Sequence, residues 1–213
     1  MIGRVSLSLL LAAVAASGCG QMGGIAYMAL GDEQTEKAEA EFSAMAHSTV
    51  AVIVYADAGV QYEYPQATLS LSSVVAAVLR KNIEGAQTID PIRIRRYQHE
   101  NFDWNSMDKA SLGELFGADY VLFIALRQYT TKEPGSLNIY RGRINAEASI
   151  FNVHRPDGTP AEWTETYLEV TFPPDAATGV VAANDEPIRY YTEKAFANLL
   201  IRRFYEHEVS KYQ

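Results

Sequence analysis

The chain has 213 residues, of which 48% are hydrophobic and 21% charged, the proportions of an ordinary globular domain able to bury a substantial core. A formal net charge of -8 excludes the basic footprint that phosphate backbones demand, so no nucleic-acid partner is expected. Thirteen tyrosines carry most of the aromatic content, and their apolar bodies with polar tips suit partly buried surfaces and interfaces.

Residues 1–18 have the three parts of an export signal. Arg4 and the amino terminus form a short positive region, and Val5 to Ala16 form an apolar run too short to remain as a membrane-spanning helix. Ala16, Ser17 and Gly18 then lead into Cys19, the only cysteine, which can form no intramolecular disulfide. The stretch resembles the lipobox of bacterial lipoproteins, with Ala16 standing where that motif usually has leucine. The resemblance implies that Cys19 is alkylated by diacylglycerol and becomes the first residue of the mature chain, anchored to a membrane by its acyl chains. Gly20 follows the cysteine where an aspartate would signal inner-membrane retention in enteric bacteria, which favours the outer membrane over the inner. Gly18, Gly20 and Gly23 satisfy G-x-G-x-x-G, but no strand precedes them and Gly18 leaves with the signal, so no dinucleotide site is expected. The expected organisation is a lipoprotein signal peptide at 1–18, a lipidated tether and lead-in at 19–48, and a single α/β domain at 49–213.

Within the lead-in, Glu33 to Ala46 is rich in alanine and glutamate, while Ala38 to Phe42 alternates like a strand; helix and strand both remain open there. From Thr49, Val50-Ala51-Val52-Ile53-Val54-Tyr55 is a continuous β-branched run, the pattern of a strand buried on both faces. A loop to Pro65 and a helix bearing Leu71, Val74, Val75, Val78 and Leu79 follow, with Gly85 as the stop. Asp90-Pro91 starts a short helical turn carrying Arg93, Arg95 and Arg96. A second helix runs from about Met107 to Phe116 and stops at Gly117. Tyr120 to Leu126 is another fully apolar run, so strand, helices and strand imply a parallel crossover. Ile139–Val153 and Trp163–Phe172 alternate around the turn Pro156-Asp157-Gly158, an antiparallel hairpin. A last helix presents Ile188, Tyr191, Ala195, Phe196, Leu199, Leu200 and Phe204 on one face. The fold class is thus α/β, with a mixed sheet built from a parallel βαβ crossover, an added antiparallel hairpin and a C-terminal amphipathic helix.

The Cys19 motif, the Val-Ala-Val-Ile-Val strand, the step Gly117-Ala118-Asp119-Tyr120-Val121-Leu122, the hairpin and the closing helix together resemble envelope lipoproteins with the fold of the TolB N-terminal domain, a group that includes LpoB and CsgG. The resemblance covers most of residues 49–206 and implies a role at the cell envelope, facing the periplasm. Two departures weigh against the particular activities of those two members. The chain has no long Pro-rich spacer, and Thr130 to Ile139, with Pro134-Gly135, is a short link without a pore-forming hairpin.

No residue pattern carries a catalytic mechanism. His47, His99, His154 and His207 are scattered and form no metal-ligand spacing, so neither metal nor cofactor is expected. Asp108 and Asp119 read as helix caps, and the Arg93/Arg95/Arg96 cluster reads as solvated and paired, with head-group contact as its alternative. The expectation is a non-catalytic lipoprotein that binds an envelope protein or assists assembly at the membrane surface; a subunit of an oligomeric export complex, or an enzyme with an unrecognised pocket, are the alternatives. Ligands gather outside the carboxyl ends of parallel strands, which here brings Tyr62, Tyr64, Arg127 and Tyr129 forward as partner-binding residues. The bland alternative is that Tyr62 and Tyr64 merely staple a helix start to the core.

Overall fold

One strand organises the molecule. In a computed structural model, which describes residues 35–175, 178–182 and 184–210, β2 (Thr49–Ala56) lies inside a six-stranded sheet. Successive side chains of a strand point to opposite faces. Val50, Val52 and Val54 therefore enter one core cluster while Ala51 and Ile53 enter another. β2 pairs in parallel with β3 (Gln87–Thr88) on one side and β4 (Tyr120–Lys132) on the other, in a register running from Val50 opposite Tyr120 to Ala56 opposite Leu126. From β4 the sheet turns antiparallel through β5 (Ile139–Asn152) and β6 (Trp163–Phe172), giving the order β3-β2-β4-β5-β6; β7 (Val180–Val181) pairs with the start of β5. The mixed α/β sheet with a parallel pair, an antiparallel part and a C-terminal helix is as expected, although β4 also joins the antiparallel part as a third long strand.

Five helices complete the described chain: α1 (Ala58–Glu63), α2 (Ala67–Asn82), α3 (Pro91–Glu100), α4 (Lys109–Phe116) and α5 (Glu186–Ile201). Leu71, Val75 and Leu79 of α2, with Phe196 and Leu200 of α5, join the cluster of Val50, Val52 and Val54. Ile94 of α3 and Leu112 and Phe116 of α4 join that of Ala51 and Ile53. Each such side chain contributes about 1.5–3 kcal/mol by leaving water. β5 alternates buried and half-buried residues along most of its length, the mark of a strand with one packed face.

Local chemistry sets the helix ends. Asp90 accepts from the Ile92 N–H at 2.9 Å ahead of Pro91, and Asp108 accepts from the Ala110 N–H at 2.8 Å. Gly117 closes α4 in the left-handed region at φ 71°, where a side chain would be strained. The Asp157-Gly158 turn is tied to the same helix start, since the Gly158 N–H donates to Asp108 at 2.9 Å and the Ser111 hydroxyl to Asp157 at 2.8 Å.

Several expectations change. The loop before Pro65 contains α1, capped by Asp57 accepting from the Val60 N–H, and α2 begins at Ala67 rather than at the proline. The Arg93/Arg95/Arg96 turn is a full ten-residue helix. Asp119 caps no helix: its carboxylate accepts the Thr49 N–H at 2.7 Å and meets the His154 ring at 3.1 Å, joining the starts of β2 and β4. The Thr49 N–H and then His154 hold Asp119 below the usual carboxylate range. On α5 the packed face is rotated. Tyr191 is exposed, while Thr192 and Glu193 are buried with Ile188, Phe196, Ala197, Leu200 and Ile201.

The lead-in takes a strand where helix and strand were both open. β1 (Thr35–Ala38) pairs with β8 (His207–Ser210) in a two-stranded sheet. Glu39–His207 forms a compact unit of its own, and Phe42 and Met45 already belong to its core. The signal peptide, Cys19 and the glycine-bearing part of the tether lie outside the described residues. Among those described, no helix is long and apolar enough to cross a membrane.

Candidate functional site

The carboxyl end of β2 runs into α1, and the sharp exit from α1 positions Tyr64. Its backbone N–H closes the helix on the Val60 carbonyl at 2.8 Å. The Tyr64 ring then meets Tyr129 edge-on, with centroids 5.0 Å apart, and its hydroxyl accepts the Thr131 N–H at 3.2 Å. Tyr129 is 3% exposed. The hydroxyl of Tyr129 donates to Glu193 at 2.6 Å, and the Ser70 hydroxyl donates to the second oxygen of the same carboxyl, also at 2.6 Å. One carboxyl group on α5 thereby joins α2 and β4.

Glu193 is 1% exposed. Burial pushes its carboxyl above the usual range, against the hydrogen bonds of Ser70 and Tyr129 and the charge of Arg189, which oppose the shift. Burial, then the adjacent Glu193, raises the Tyr129 phenol in turn. Two donors on two oxygens make this a satisfied buried carboxyl.

Above Tyr129 a cleft of about 420 Å³ opens, with Tyr64, Thr131, Lys132, Tyr140, Asp185 and Arg189 among its walls. Asp185, at the start of α5, accepts the Thr131 hydroxyl at 2.9 Å, and the Lys132 ammonium stands 5.6 Å from the Tyr140 ring centre. Glu193 is not among the lining residues; it lies behind Tyr129. The cleft thus offers aromatic walls and opposite charges at its rim. These groups suit reversible contact with an amphipathic surface more than proton transfer at a reacting atom.

The four residues expected to bind a partner separate here. Tyr64 and Tyr129 come together in the cleft wall, with Tyr129 largely enclosed. Tyr62 lies two residues earlier, on α1, and is 91% exposed, so it staples nothing. Arg127 is drawn away to β5, where it pairs with Glu147 at 2.5 Å. The cause is a β-bulge between Leu126 and Gln128, which leaves Arg127 and Gln128 both outward and returns Tyr129 to the core side. Sequence reasoning missed Glu193, Ser70, Tyr140 and Arg189. The signal for Glu193 and Ser70 was weak, since a polar residue on an apolar helix face reads as a break in the pattern.

Of the Arg93/Arg95/Arg96 cluster, expected to be paired, only Arg93 has a structural partner among the described residues, and Arg95 makes no ion pair there. Arg93 points its guanidinium at the last carbonyls of α4, 3.3 Å from that of Phe116, so it serves a helix end. Among the described residues no three His, Cys, Asp or Glu side chains gather as a metal site.

No protein-family model and no curated protein matches the chain. Among solved structures it is similar to the PelC dodecamer from Paraburkholderia phytofirmans, at 14% identity and a TM-score of 0.46, covering 78% of this chain and 96% of that one. It is also similar to lipoprotein GNA1162 from Neisseria meningitidis, at 15% identity and a TM-score of 0.44, covering 72% of this chain and 97% of that one.

Proposed function

We propose that this chain is an envelope lipoprotein, lipidated at Cys19 and facing the periplasm from the outer membrane, whose α/β unit docks onto another envelope protein as a binding or assembly factor. The observation that carries the docking role is the tyrosine cleft with Tyr62 beside it. Tyr64, Tyr129 and Tyr140 wall an opening of about 420 Å³, and Tyr62 stands 91% exposed on the helix that leads into it. A tyrosine that leaves its ring in water, next to a concave aromatic wall, is the residue type that anchors protein–protein contacts. The lipid anchor rests on the Ala16-Ser17-Gly18-Cys19 stretch. Catalysis has less support: the buried carboxyl is sealed behind Tyr129 and both its oxygens are engaged.

Photo-crosslinking in living cells tests the docking role. A benzophenone amino acid placed at Tyr62 or Lys132 should give one discrete adduct, while the same probe at Leu115, an exposed position on α4, should give none. An adduct with the mass of two copies of this chain identifies self-assembly, the alternative of an oligomeric export subunit. Equal or absent crosslinking at all three positions rejects the cleft as the docking surface.

A further inference from the structure

A second cleft, separate from the tyrosine wall, opens directly at the carboxyl end of β2. It has a volume of about 230 Å³, and its lining draws on the end of β2, the start of α2, α3 and the loop after α3. Ends of parallel strands are where connecting loops leave room for ligands.

Its composition is unusual for this molecule. The chain has 26 acidic residues against 18 lysines and arginines, yet no aspartate or glutamate lines this cleft. Arg95 and His99 do. Arg95 is half-buried and makes no hydrogen bond or ion pair among the described residues. Thr68, in the first turn of α2, also lines the cleft, and its buried hydroxyl has no hydrogen-bond partner. A partly desolvated cation and an orphaned buried hydroxyl both cost stability unless something binds them.

The nearby acceptors are already taken. Gln98 donates to the Val54 carbonyl at 3.2 Å and Gln61 to the Ala56 carbonyl at 2.6 Å. Gln66, ahead of α2, makes no side-chain cap, and the first turn of this 16-residue helix carries no acidic residue of its own. The remaining wall is aromatic and apolar apart from Asn105. Trp104 meets Tyr55 edge-on at 6.1 Å, and Phe102 stands 94% exposed at the cleft.

We propose that this cleft binds a small carboxylate carried on an aromatic or apolar body, with Arg95 as counter-charge and the Thr68 hydroxyl as a second donor. A planar guanidinium matches a carboxylate, and a single arginine balances one negative charge rather than two. The volume lies below the roughly 300–1,000 Å³ of drug-sized sites, so the bound group is small. Burial holds Arg95 below the usual arginine range, which is consistent with a cation awaiting an anion. A free acid and the end of a peptide both supply such a carboxylate, and the test separates the two.

The experiment is calorimetric titration of the full chain in detergent at low salt, with phenylacetate as the first probe. Saturable binding is expected at about 1 mM or tighter, on the scale reached by ligands of this size. Phenylacetamide, which keeps the shape and loses the charge, should bind at least about tenfold more weakly, the loss expected for a hydrogen bond to a charged group. Arg95→Met should weaken phenylacetate by a similar factor and Thr68→Val by about three- to tenfold, while Arg96→Met, on the exposed side of α3, should change nothing. Melting curves identify any variant that fails to fold, and Thr68→Val with the amide probe then carries the test. An acetylated Gly-Phe dipeptide that binds tenfold tighter than phenylacetate, and loses this on amidation, assigns the carboxylate to a peptide end; parity assigns it to a free acid. The proposal is overturned if phenylacetate does not saturate, if the amide binds as well, or if Arg95→Met leaves the affinity unchanged.

Discussion

Replacing Glu193 by alanine removes the acceptor shared by two hydroxyls on different elements. The Tyr129 hydroxyl is buried, so orphaning it costs about 1–3 kcal/mol. Ser70 is only partly buried and can turn toward water, so its loss is smaller. Together with the space vacated, Glu193→Ala should lose about 2–4 kcal/mol. With a urea dependence of about 2 kcal/mol per molar, that lowers the unfolding midpoint by about 1–2 M. The asymmetry of hydrogen bonding supplies the control. Removing all three polar groups at once, as Ser70→Ala, Tyr129→Phe and Glu193→Met, leaves nothing unsatisfied and should fall within about 1 kcal/mol of the parent. Urea unfolding at neutral pH followed by circular dichroism measures both. A Glu193→Ala loss below about 1 kcal/mol, or a triple variant worse than the single one, refutes the reasoning.

Three other outcomes follow from the geometry. Because burial raises the Glu193 carboxyl, the native state holds its proton to higher pH than the unfolded chain; that contribution is complete below the unfolded value and is lost as pH rises through the folded one, so Glu193→Gln should gain stability relative to the parent as pH rises above the ordinary carboxylate range. A flat difference in melting temperature over that rise contradicts it. Gly142 of β5 lies under α5 where a Cβ would fall on the Thr192 hydroxyl, so Gly142→Ala should cost about 1–3 kcal/mol in the same urea assay, whereas Gly135→Ala, with open space at its Cβ, should cost only the strain of its positive φ. Trp163 packs edge-on to Phe204 at 4.8 Å and donates its indole N–H to Glu41 at 2.9 Å, so Trp163→Ala should cost about 3 kcal/mol; a loss under about 1 kcal/mol would place it on the surface.

The elements legible in the sequence are those whose signal is local. Val50 to Tyr55 and Tyr120 to Leu126 are apolar on both faces because helices cover both, and a continuous β-branched run has few other uses. Asp90, Asp108 and Gly117 announce helix ends by chemistry confined to one turn. What was not legible depends on partners distant in sequence. α1 buries no residue fully, so it carries no apolar stripe to find. The buried α5 face departs from the apolar pattern because Thr192 and Glu193, both polar, are buried, the first against Gly142 and the second against Ser70 and Tyr129. Arg127 and Tyr129 separate because strict alternation has no means of marking the bulge after Leu126, and Tyr62 separates from Tyr64 because α1 has no apolar stripe to reveal it. That bulge decides which side chains reach the cleft.

In the proposed reading Cys19 carries a lipid and the folded unit works from a membrane surface. Mass spectrometry of the amino-terminal peptide, taken from membranes of cells making the parent chain or Cys19→Ser, tests it most directly. The parent peptide should begin at Cys19 and carry diacylglycerol with its acyl chains, and the Cys19→Ser chain should have no lipid and leave the membrane fraction while its compact unit melts as before. A parent peptide cut elsewhere without lipid, or a Cys19→Ser chain that still sediments with membranes, contradicts it.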